Sequence, residues 1–169
     1  MNDLRMPLTK TRWITMPVNW VPVFFGLSVI FMESTVTMGA GNTSRWLLDV
    51  CHALWGQTDT ASFETAHFCL RKVGHFTGYG LLSVLFYRAW HASVDSFWKG
   101  SRKGLRLEAA GLAVVCVFVV ASLDEWHQSF LAGRVSSFVD VMIDTSGAIV
   151  FTAVAMVVMA RRFEFGFSE

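Results

Sequence analysis

Charge is scarce in this chain, and so are familiar catalytic signatures. Asp, Glu, Lys and Arg make up 16% of its 169 residues, whereas 53% are hydrophobic, a balance that excludes an ordinary soluble domain. The net charge of +1 provides no concentrated basic face of the kind that binds nucleic acid. No GxSxG elbow, HExxH pair, P-loop or CxxC motif occurs. We therefore expect residues 1–169 to form one domain embedded in a membrane.

Four apolar stretches are long enough to cross a bilayer as helices. They cover about residues 18–38, 73–90, 107–130 and 138–160. The sequence thus predicts an all-α membrane protein in which four transmembrane helices form a compact bundle. The first stretch follows basic residues and is open to a second interpretation, a signal peptide cut near Ala40. Its length of about twenty residues and the three later stretches favour a span.

The segment between the first two stretches, about residues 39–71, is long and partly apolar. Trp46, Leu47, Val50, Leu54 and Trp55 share one helical face, a pattern that predicts an amphipathic helix lying at the membrane surface. A second helical piece through Phe63, His67 and Leu70 is expected to lead into the second span. Cys51 and Cys69 fall in this segment, and the sequence leaves open whether they form a disulfide or stay as separate thiols.

Basic residues are distributed unevenly between the two sides of the predicted bundle. Ten of the fourteen Lys and Arg residues lie in the N-terminal segment, around the loop between spans two and three, or at the C-terminus. Under the positive-inside rule, that side is the cytoplasm. We predict a multi-pass protein of the bacterial cytoplasmic (inner) membrane with both termini inside. The ten residues are Arg5, Lys10, Arg12, Arg88, Lys99, Arg102, Lys103, Arg106, Arg161 and Arg162.

With this topology, the ionisable residues of all four spans lie near the extracytoplasmic face. An ionisable group in hydrocarbon costs about 2.5–3.5 kcal/mol on insertion scales, so it persists where it pairs, faces water or performs a task. The sequence therefore favours a polar site at that face. The groups concerned are Glu33, Lys72, His75, Asp124, Glu125, Asp140 and Asp144.

The second span carries polar residues at helical spacing. Lys72, His75 and Tyr79 are three and four residues apart, so they share a face. His75 is a candidate general base or proton relay, although a hydrogen-bonded packing role is the alternative. Gly74 and Gly78 form a small-xxx-small pair that predicts close approach of another helix.

The third span ends in adjacent carboxylates followed by a tight turn. Asp124 and Glu125 cannot both point at one target, so we expect one to bind and the other to orient a neighbour. Negative charges at a helix C-terminus are unfavourable because of the helix dipole. We therefore expect these carboxylates to have fixed interaction partners in the protein, and not merely to be exposed to solvent. Gln128 lies on the same face as Asp124, one turn later. Arg134 after the turn is expected to neutralise the carboxylates or to present a fork to an anion.

The fourth span begins with two acids on one face. Asp140, Asp144 and Gly147 recur at intervals of four and three residues. Asp140 near the helix N-terminus favours the dipole, whereas Asp144 lies a turn deeper without that structural reason. Gly147 would let a neighbouring backbone or a ligand come close. A single probable ligand histidine and no fixed ligand spacing argue against a metal, so we expect neither a metal nor a cofactor.

Two segments, RKVGHFTGYGLL and DEWHQSFLAGRVSSFVDVMIDTSGA, resemble the signature segments of the VanZ-like family. Lys72, His75, Phe76 and Tyr79 match the first. The second is matched by Asp124, Glu125, Gln128, Gly133, Arg134, Asp140, Asp144 and Gly147. One departure is Gly78, where many relatives carry an acid. If that acid contributes to the site, either this chain has one polar group fewer there or Glu33 or Glu64 substitutes.

The resemblance implies a small bacterial integral membrane protein associated with resistance to the glycopeptide teicoplanin. It does not decide whether a reaction is catalysed, and neither does the sequence identify the oligomeric state. We expect a membrane lipid or cell-envelope molecule as the partner. For such a site we predict catalytic roles for His75, Asp124, Glu125 and Asp144, and substrate binding by Lys72, Tyr79, Gln128, Arg134 and Asp140.

Two other functions remain open at this point. The charged residues would form a purely structural ion network in a non-catalytic scaffold or binding protein. A proton- or ion-coupled transporter would also use intramembrane acids, but the other halves of spans three and four offer no ionisable continuation.

Overall fold

Every regular element in the part of the chain that the structure describes is helical. The computed structural model describes residues 9–56, 59–134 and 136–165. The all-α prediction is confirmed. The elements are α1 (Thr9–Glu33), a short 3₁₀ helix (Val36–Met38), α2 (Ala40–Trp55), α3 (Thr60–Asp95), α4 (Arg102–Gln128) and α5 (Phe138–Phe165).

The core forms where α3, α4 and α5 pack against one another, with α1 against α3. On α4, Ala109, Ala113, Val117 and Ala121 are completely buried. Residues four apart share a helical face, so this stripe of small side chains lets the neighbouring helices approach closely. The larger side chains Tyr79, Leu82 and Phe86 of α3 fill the space beside it.

Helices α3 and α5 run parallel, because their contacts advance along both chains together. Lys72 pairs with Asp140 at one end, and Ser83 meets Thr152 further along. Between them, the backbone of α3 touches Gly147, where a Cβ would lie 2.1 Å from the carbonyl oxygen of Phe76. We call the end of the bundle holding Lys72 and Asp140 the polar end and the other the apolar end.

Two helices are long and apolar enough to cross a membrane, namely α4 and the Phe138–Arg161 part of α5, each containing an 18-residue stretch with a mean hydropathy of 2.0. They correspond to the third and fourth predicted spans. The apolar stretch found in α1, Val18–Glu33, is shorter, and α3 is not apolar enough to join them. Four spans therefore stay a prediction. Arg5, used above to orient the chain, lies outside the described residues.

Helix α3 is a single 36-residue helix. The second predicted span and the helical piece expected before it are thus one element. At 1.5 Å per residue it is about 54 Å long, well beyond the ~30 Å of a hydrocarbon core. Asp59 caps its start by accepting from the Ser62 backbone N–H at 2.9 Å, and hydrogen bonding to Ser62 holds the pKa of Asp59 below its usual value.

Helix α2 is present where the amphipathic helix was predicted, and its place at a membrane surface stays a prediction. Trp46, Leu54 and Trp55 are exposed. Two side-chain contacts attach α2 to the first turns of α3: Thr43 Oγ1 lies 3.2 Å from His67 Nε2, and Ser44 Oγ donates to Glu64 Oε1 at 2.8 Å. Cys51, Cys69 and Cys116 are free thiols.

Helix α1 ends at Glu33, five residues before the predicted limit of the first span. The chain then turns into the short 3₁₀ helix. Arg134 donates to the carbonyl oxygens of Glu33 and Thr35, which satisfies backbone acceptors left open where α1 ends.

Candidate functional site

The polar end brings the sequence-predicted site residues of α3, α4 and α5 together. Lys72, His75 and Tyr79 project from one face of α3, as their spacing predicted. Four residues from the end of α4 and the start of α5 contact these side chains or contact one another beside them. These are Asp124, Gln128, Asp140 and Asp144.

His75 and Asp144 form the deepest pair. His75 Nδ1 lies 3.3 Å from Asp144 Oδ1, and the Asp144 side chain is only 1% exposed. The two atoms are not aligned for a hydrogen bond, and both carboxylate oxygens are buried without a hydrogen-bond partner in the described part of the chain. A buried carboxylate without full hydrogen bonding is costly. Packing alone gives no reason to keep it there, whereas a histidine beside a carboxylate is suited to proton exchange.

Asp124 is held by two donors on the same oxygen. Tyr79 Oη donates to Asp124 Oδ2 at 3.0 Å, and Gln128 Nε2 donates to it at 2.8 Å. The Tyr79 side chain is almost completely buried, and its ring stacks on His75 with centroids 6.2 Å apart. A continuous line of polar contacts therefore leads from Asp144 through His75 and Tyr79 to Asp124.

Lys72 and Asp140 form an ion pair nearer the surface. Their side chains are 27% and 14% exposed. The Lys72 ammonium also lies 5.1 Å from the centre of the Phe68 ring, within cation–π range. Asp140 is in the first turn of α5, where a negative charge is favoured by the helix dipole. The ion pair, the cation–π contact and the helix dipole are together sufficient to explain why these two residues lie here.

Glu125 points away from Asp124, as adjacent residues on a helix must. Its Oε2 accepts from the Ser137 backbone N–H at 2.7 Å, and Ser137 Oγ in turn caps α5 by accepting from the Val139 N–H at 3.2 Å. Glu125 thus joins the end of α4 to the start of α5. This contact agrees with the expectation that one of the two adjacent carboxylates orients a neighbour.

Arg134 contacts backbone where carboxylates were expected. Gly133 has φ +78°, which confirms the predicted tight turn, and Arg134 follows it. Its Nη2 donates to the carbonyl oxygens of Glu33 and Thr35, at 2.6 Å for Thr35. Burial lowers the pKa of the Arg134 guanidinium, as does the nearby charge of Arg71, but an arginine stays protonated in proteins. Its Nε is buried without a hydrogen-bond partner in the described chain.

His75 lines three neighbouring cavities. The innermost, about 20 Å³, is bounded by Tyr79, Asp124, Gln128 and Arg134 and has room for about one water molecule. A second of about 180 Å³ is lined by Lys72, Arg134 and Asp140, and a third of about 200 Å³ by Glu33 and Gly74. His75 lines all three, so a ligand in any of them would lie near the imidazole.

Arg71 was not among the predicted site residues, yet it lines both outer cavities. The signal was available, because Arg71 precedes Lys72 in the first signature segment.

Glu33 lines the inner cavity and one outer cavity. Glu64 is occupied with Ser44 of α2. Of the two acids considered as substitutes at Gly78, Glu33 is therefore the one beside the site.

The predicted close approach at Gly74 and Gly78 is wrong. Among the described residues, a Cβ at Gly74 would meet no atom within 4 Å, and one at Gly78 would meet only Ile30 Cδ1 at 3.8 Å. Gly74 instead faces the cavities beside His75. The close contact between α3 and α5 is made by Gly147, which touches a neighbouring backbone as expected, and by Gly80 against the Phe151 ring.

Among the described residues, no group of three or more His, Cys, Asp or Glu side chains is arranged to hold a metal ion. The polar end contains hydrogen-bond donors, hydrogen-bond acceptors and the His75 imidazole around the three cavities. Such a set can bind a polar group and exchange protons with it.

The helical fold, its two strongly apolar helices and its buried ionisable cluster are those of a small membrane protein. The chain belongs to the VanZ/LLP1 family, whose model matches residues 8–159. Membership associates it with membrane proteins linked to glycopeptide resistance. No curated protein and no solved structure matches this chain.

Proposed function

We propose that this protein crosses the bacterial cytoplasmic membrane four times with both termini inside, and that its polar end binds a cell-envelope molecule at the outer face. The uneven distribution of basic residues supports this orientation. Because α3 and α5 run parallel, their polar ends lie on the same side whichever way the chain is inserted. The site is therefore on one face, and the charge bias supports placing that face outside.

The observation that carries the proposal is the position of His75. It lines three neighbouring cavities, with a buried carboxylate, Asp144, 3.3 Å behind it. In this proposal the pair exchanges a proton with the bound molecule, and Tyr79 and Gln128 keep Asp124 oriented toward the inner cavity. Lys72, Arg134 and Asp140 contact the polar group in the second cavity. Glu125 is a positioning residue that fixes α5 relative to α4.

The test compares two histidines of the same helix. His91 lies on α3 near the apolar end, where it contacts the edge of Tyr87, and it is half-buried like His75. A deletion strain would be complemented with wild type, His75→Gln or His91→Gln, and its lipids and cell-wall precursors profiled. We expect His75→Gln to behave like the deletion in one envelope component and His91→Gln to behave like wild type. Equal behaviour of the two variants at equal protein levels would contradict the proposal.

A structural scaffold is the second candidate, and specific contacts favour it. The Lys72–Asp140 ion pair, the Glu125–Ser137 hydrogen bond and the bonds from Arg134 to the end of α1 all join separate elements. A scaffold predicts that His75→Gln acts only by lowering the amount of folded protein. Measuring membrane-inserted, monodisperse protein for each variant separates the two functions.

A further inference from the structure

An apolar groove lies beside the His75 cavities, between α2 and the early part of α3. Its volume is about 540 Å³, and its walls include Met38, Trp46, Leu47 and Leu70. Trp46 is 69% exposed and Leu70 is 60% exposed. Few residues of α2 and α3 are in contact, which leaves space between the two helices. Apolar surface of this extent next to a polar cavity is typical of a binding site for an amphiphile.

Arg71 connects the groove to the polar cavities. It lines the groove and both outer His75 cavities. A guanidinium has five N–H donors, and in the described part of the chain Arg71 has one recorded hydrogen bond, from Nη1 to the Met38 carbonyl oxygen at 3.2 Å. That bond holds the guanidinium at the junction. The polar part of a ligand would therefore meet Arg71 at the point where its apolar part enters the groove.

The second cavity has an excess of positive charge. Arg71, Lys72 and Arg134 line it, and Asp140 is the carboxylate among its walls. Lys72 is already paired with Asp140, which leaves the two arginines to attract an anion. Planar guanidinium groups bind phosphate through two parallel N–H donors, so a phosphate group fits this wall better than a neutral or cationic head.

We propose that this composite site binds a lipid-like amphiphile, with a phosphate headgroup between Arg71 and Arg134 and its hydrocarbon chain in the groove between α2 and α3. The inference deepens the proposed function, because it uses the same cavities and names the class of molecule they take. The inference also places the hydrocarbon chain of the ligand outside the core formed by α1, α3, α4 and α5, on the side where α2 lies.

The experiment maps where such a molecule binds. The purified full chain in neutral detergent would be photolabelled with monododecyl phosphate carrying a diazirine in its chain, and the labelled peptides identified by mass spectrometry. We expect labelling on the groove walls, around residues 46–47 and 70. Unlabelled monododecyl phosphate should compete with it, whereas dodecyl maltoside, which has the same chain on a neutral head, should not. Inorganic phosphate, which lacks the chain, should compete only weakly.

Two variants and a control complete the test. Arg71→Gln removes the connecting charge, and we expect about tenfold less labelling at equal probe concentration, as for loss of a charge-assisted hydrogen bond. Leu70→Gln changes an exposed groove residue, so it should reduce labelling without affecting the fold. Arg45→Gln removes an exposed cation of α2 that lines none of these cavities, and it should label like wild type.

The outcomes separate this inference from the proposed function. Labelling of the His75 cavity walls without the groove would overturn the inference and leave the proposed function standing. Labelling scattered over lipid-facing surfaces, equal in wild type and Arg71→Gln, would overturn the inference as well. If His75→Gln also leaves the envelope profile unchanged, both fail.

Discussion

The same two helices, α3 and α5, are joined in different ways at their two ends. At the polar end, the contacts are between ionisable side chains: Lys72 with Asp140 and His75 with Asp144. Further along, they are made by hydroxyl groups and close packing: Ser83 Oγ donates to the Ala148 carbonyl oxygen at 3.1 Å and accepts from Thr152 Oγ1 at 3.1 Å.

This difference shows that ionisable groups are not needed to pack these helices. The second mode of contact is compact, with Ser83 and Ala148 completely buried, and it leaves no charge to be neutralised. At the polar end, by contrast, both carboxylate oxygens of Asp144 are buried without a hydrogen-bond donor in the described part of the chain. Packing does not require the charge of Asp144, and an ionisable group in hydrocarbon is costly. Such a residue is most consistent with a role in binding. Four predictions test this comparison, from the largest expected effect on stability to the smallest.

Gly147→Ala should destabilise the protein most. Its Cβ would lie 2.1 Å from the Phe76 carbonyl oxygen, and backbone cannot move away as a flexible side chain can. We expect a loss of about 3 kcal/mol, the upper part of the usual range for overpacking. Thermal unfolding in detergent would measure it. Gly111→Ala is the control, because a Cβ at that helical glycine meets no atom of the described residues within 4 Å. Equal melting of the two variants would show that α3 and α5 are not in contact at Gly147.

Breaking the Lys72–Asp140 pair should have a smaller effect. Both side chains are partly exposed, so solvent screens the loss, and we expect Lys72→Gln to cost about 1–2 kcal/mol. Exchanging the charges, with Lys72→Asp and Asp140→Lys together, should recover most of that stability in the same unfolding assay. We expect the exchanged protein to remain inactive in the deletion strain. Recovery of function by the exchange would identify the pair as a scaffold.

Ser83→Ala and Asp144→Asn should separate stability from function. Ser83→Ala removes hydrogen bonds between α3 and α5, so it should cost about 1 kcal/mol and leave function intact. Asp144→Asn keeps the shape of a side chain that has no hydrogen bond to lose in the described chain. It should therefore melt close to wild type and yet fail to complement. A large loss of stability in Asp144→Asn would place Asp144 among the structural residues.

Gly74→Leu should leave stability nearly unchanged and abolish function. Among the described residues nothing lies within 4 Å of its Cβ position, and a cavity of about 200 Å³ beside it gives the rest of the new side chain room next to His75. Gly111→Leu makes the same change on α4, away from these cavities, and should be active. Complementation of the deletion strain, with protein level measured by immunoblot, is the readout. Normal activity of Gly74→Leu would mean that the cavities need not be open.

Much of the polar end could be predicted from residue spacing. Helical periodicity placed Lys72, His75 and Tyr79 on one face of α3, and it separated Asp124 from Glu125. The all-α class followed from the long apolar stretches. The beginning of α5 was predicted at Phe138, where the structure has it.

The partners across helices could not be predicted in the same way. Which acid faces Lys72 depends on the axial and rotational register of α3 against α5, and the periodicity of one helix contains no information about its neighbour. The prediction for Gly74 and Gly78 was wrong for the same reason, whereas the expected close approach at Gly147 is present. Gly74 and Gly78 have the spacing of a helix contact, but the rotation of α3 turns Gly74 to the cavities and Gly80 to Phe151. Arg71 precedes the predicted second span and was not assigned to the site, whereas α3 begins at Thr60 and places Arg71 on the walls of two cavities.

Helix α3 has one further structural consequence. It runs unbroken from Thr60 to Asp95 and contains no proline, a common cause of sharp kinks in helices. The contacts of α2 with its first turns and the rings of Trp90 and His91 near its other end therefore belong to one continuous helix.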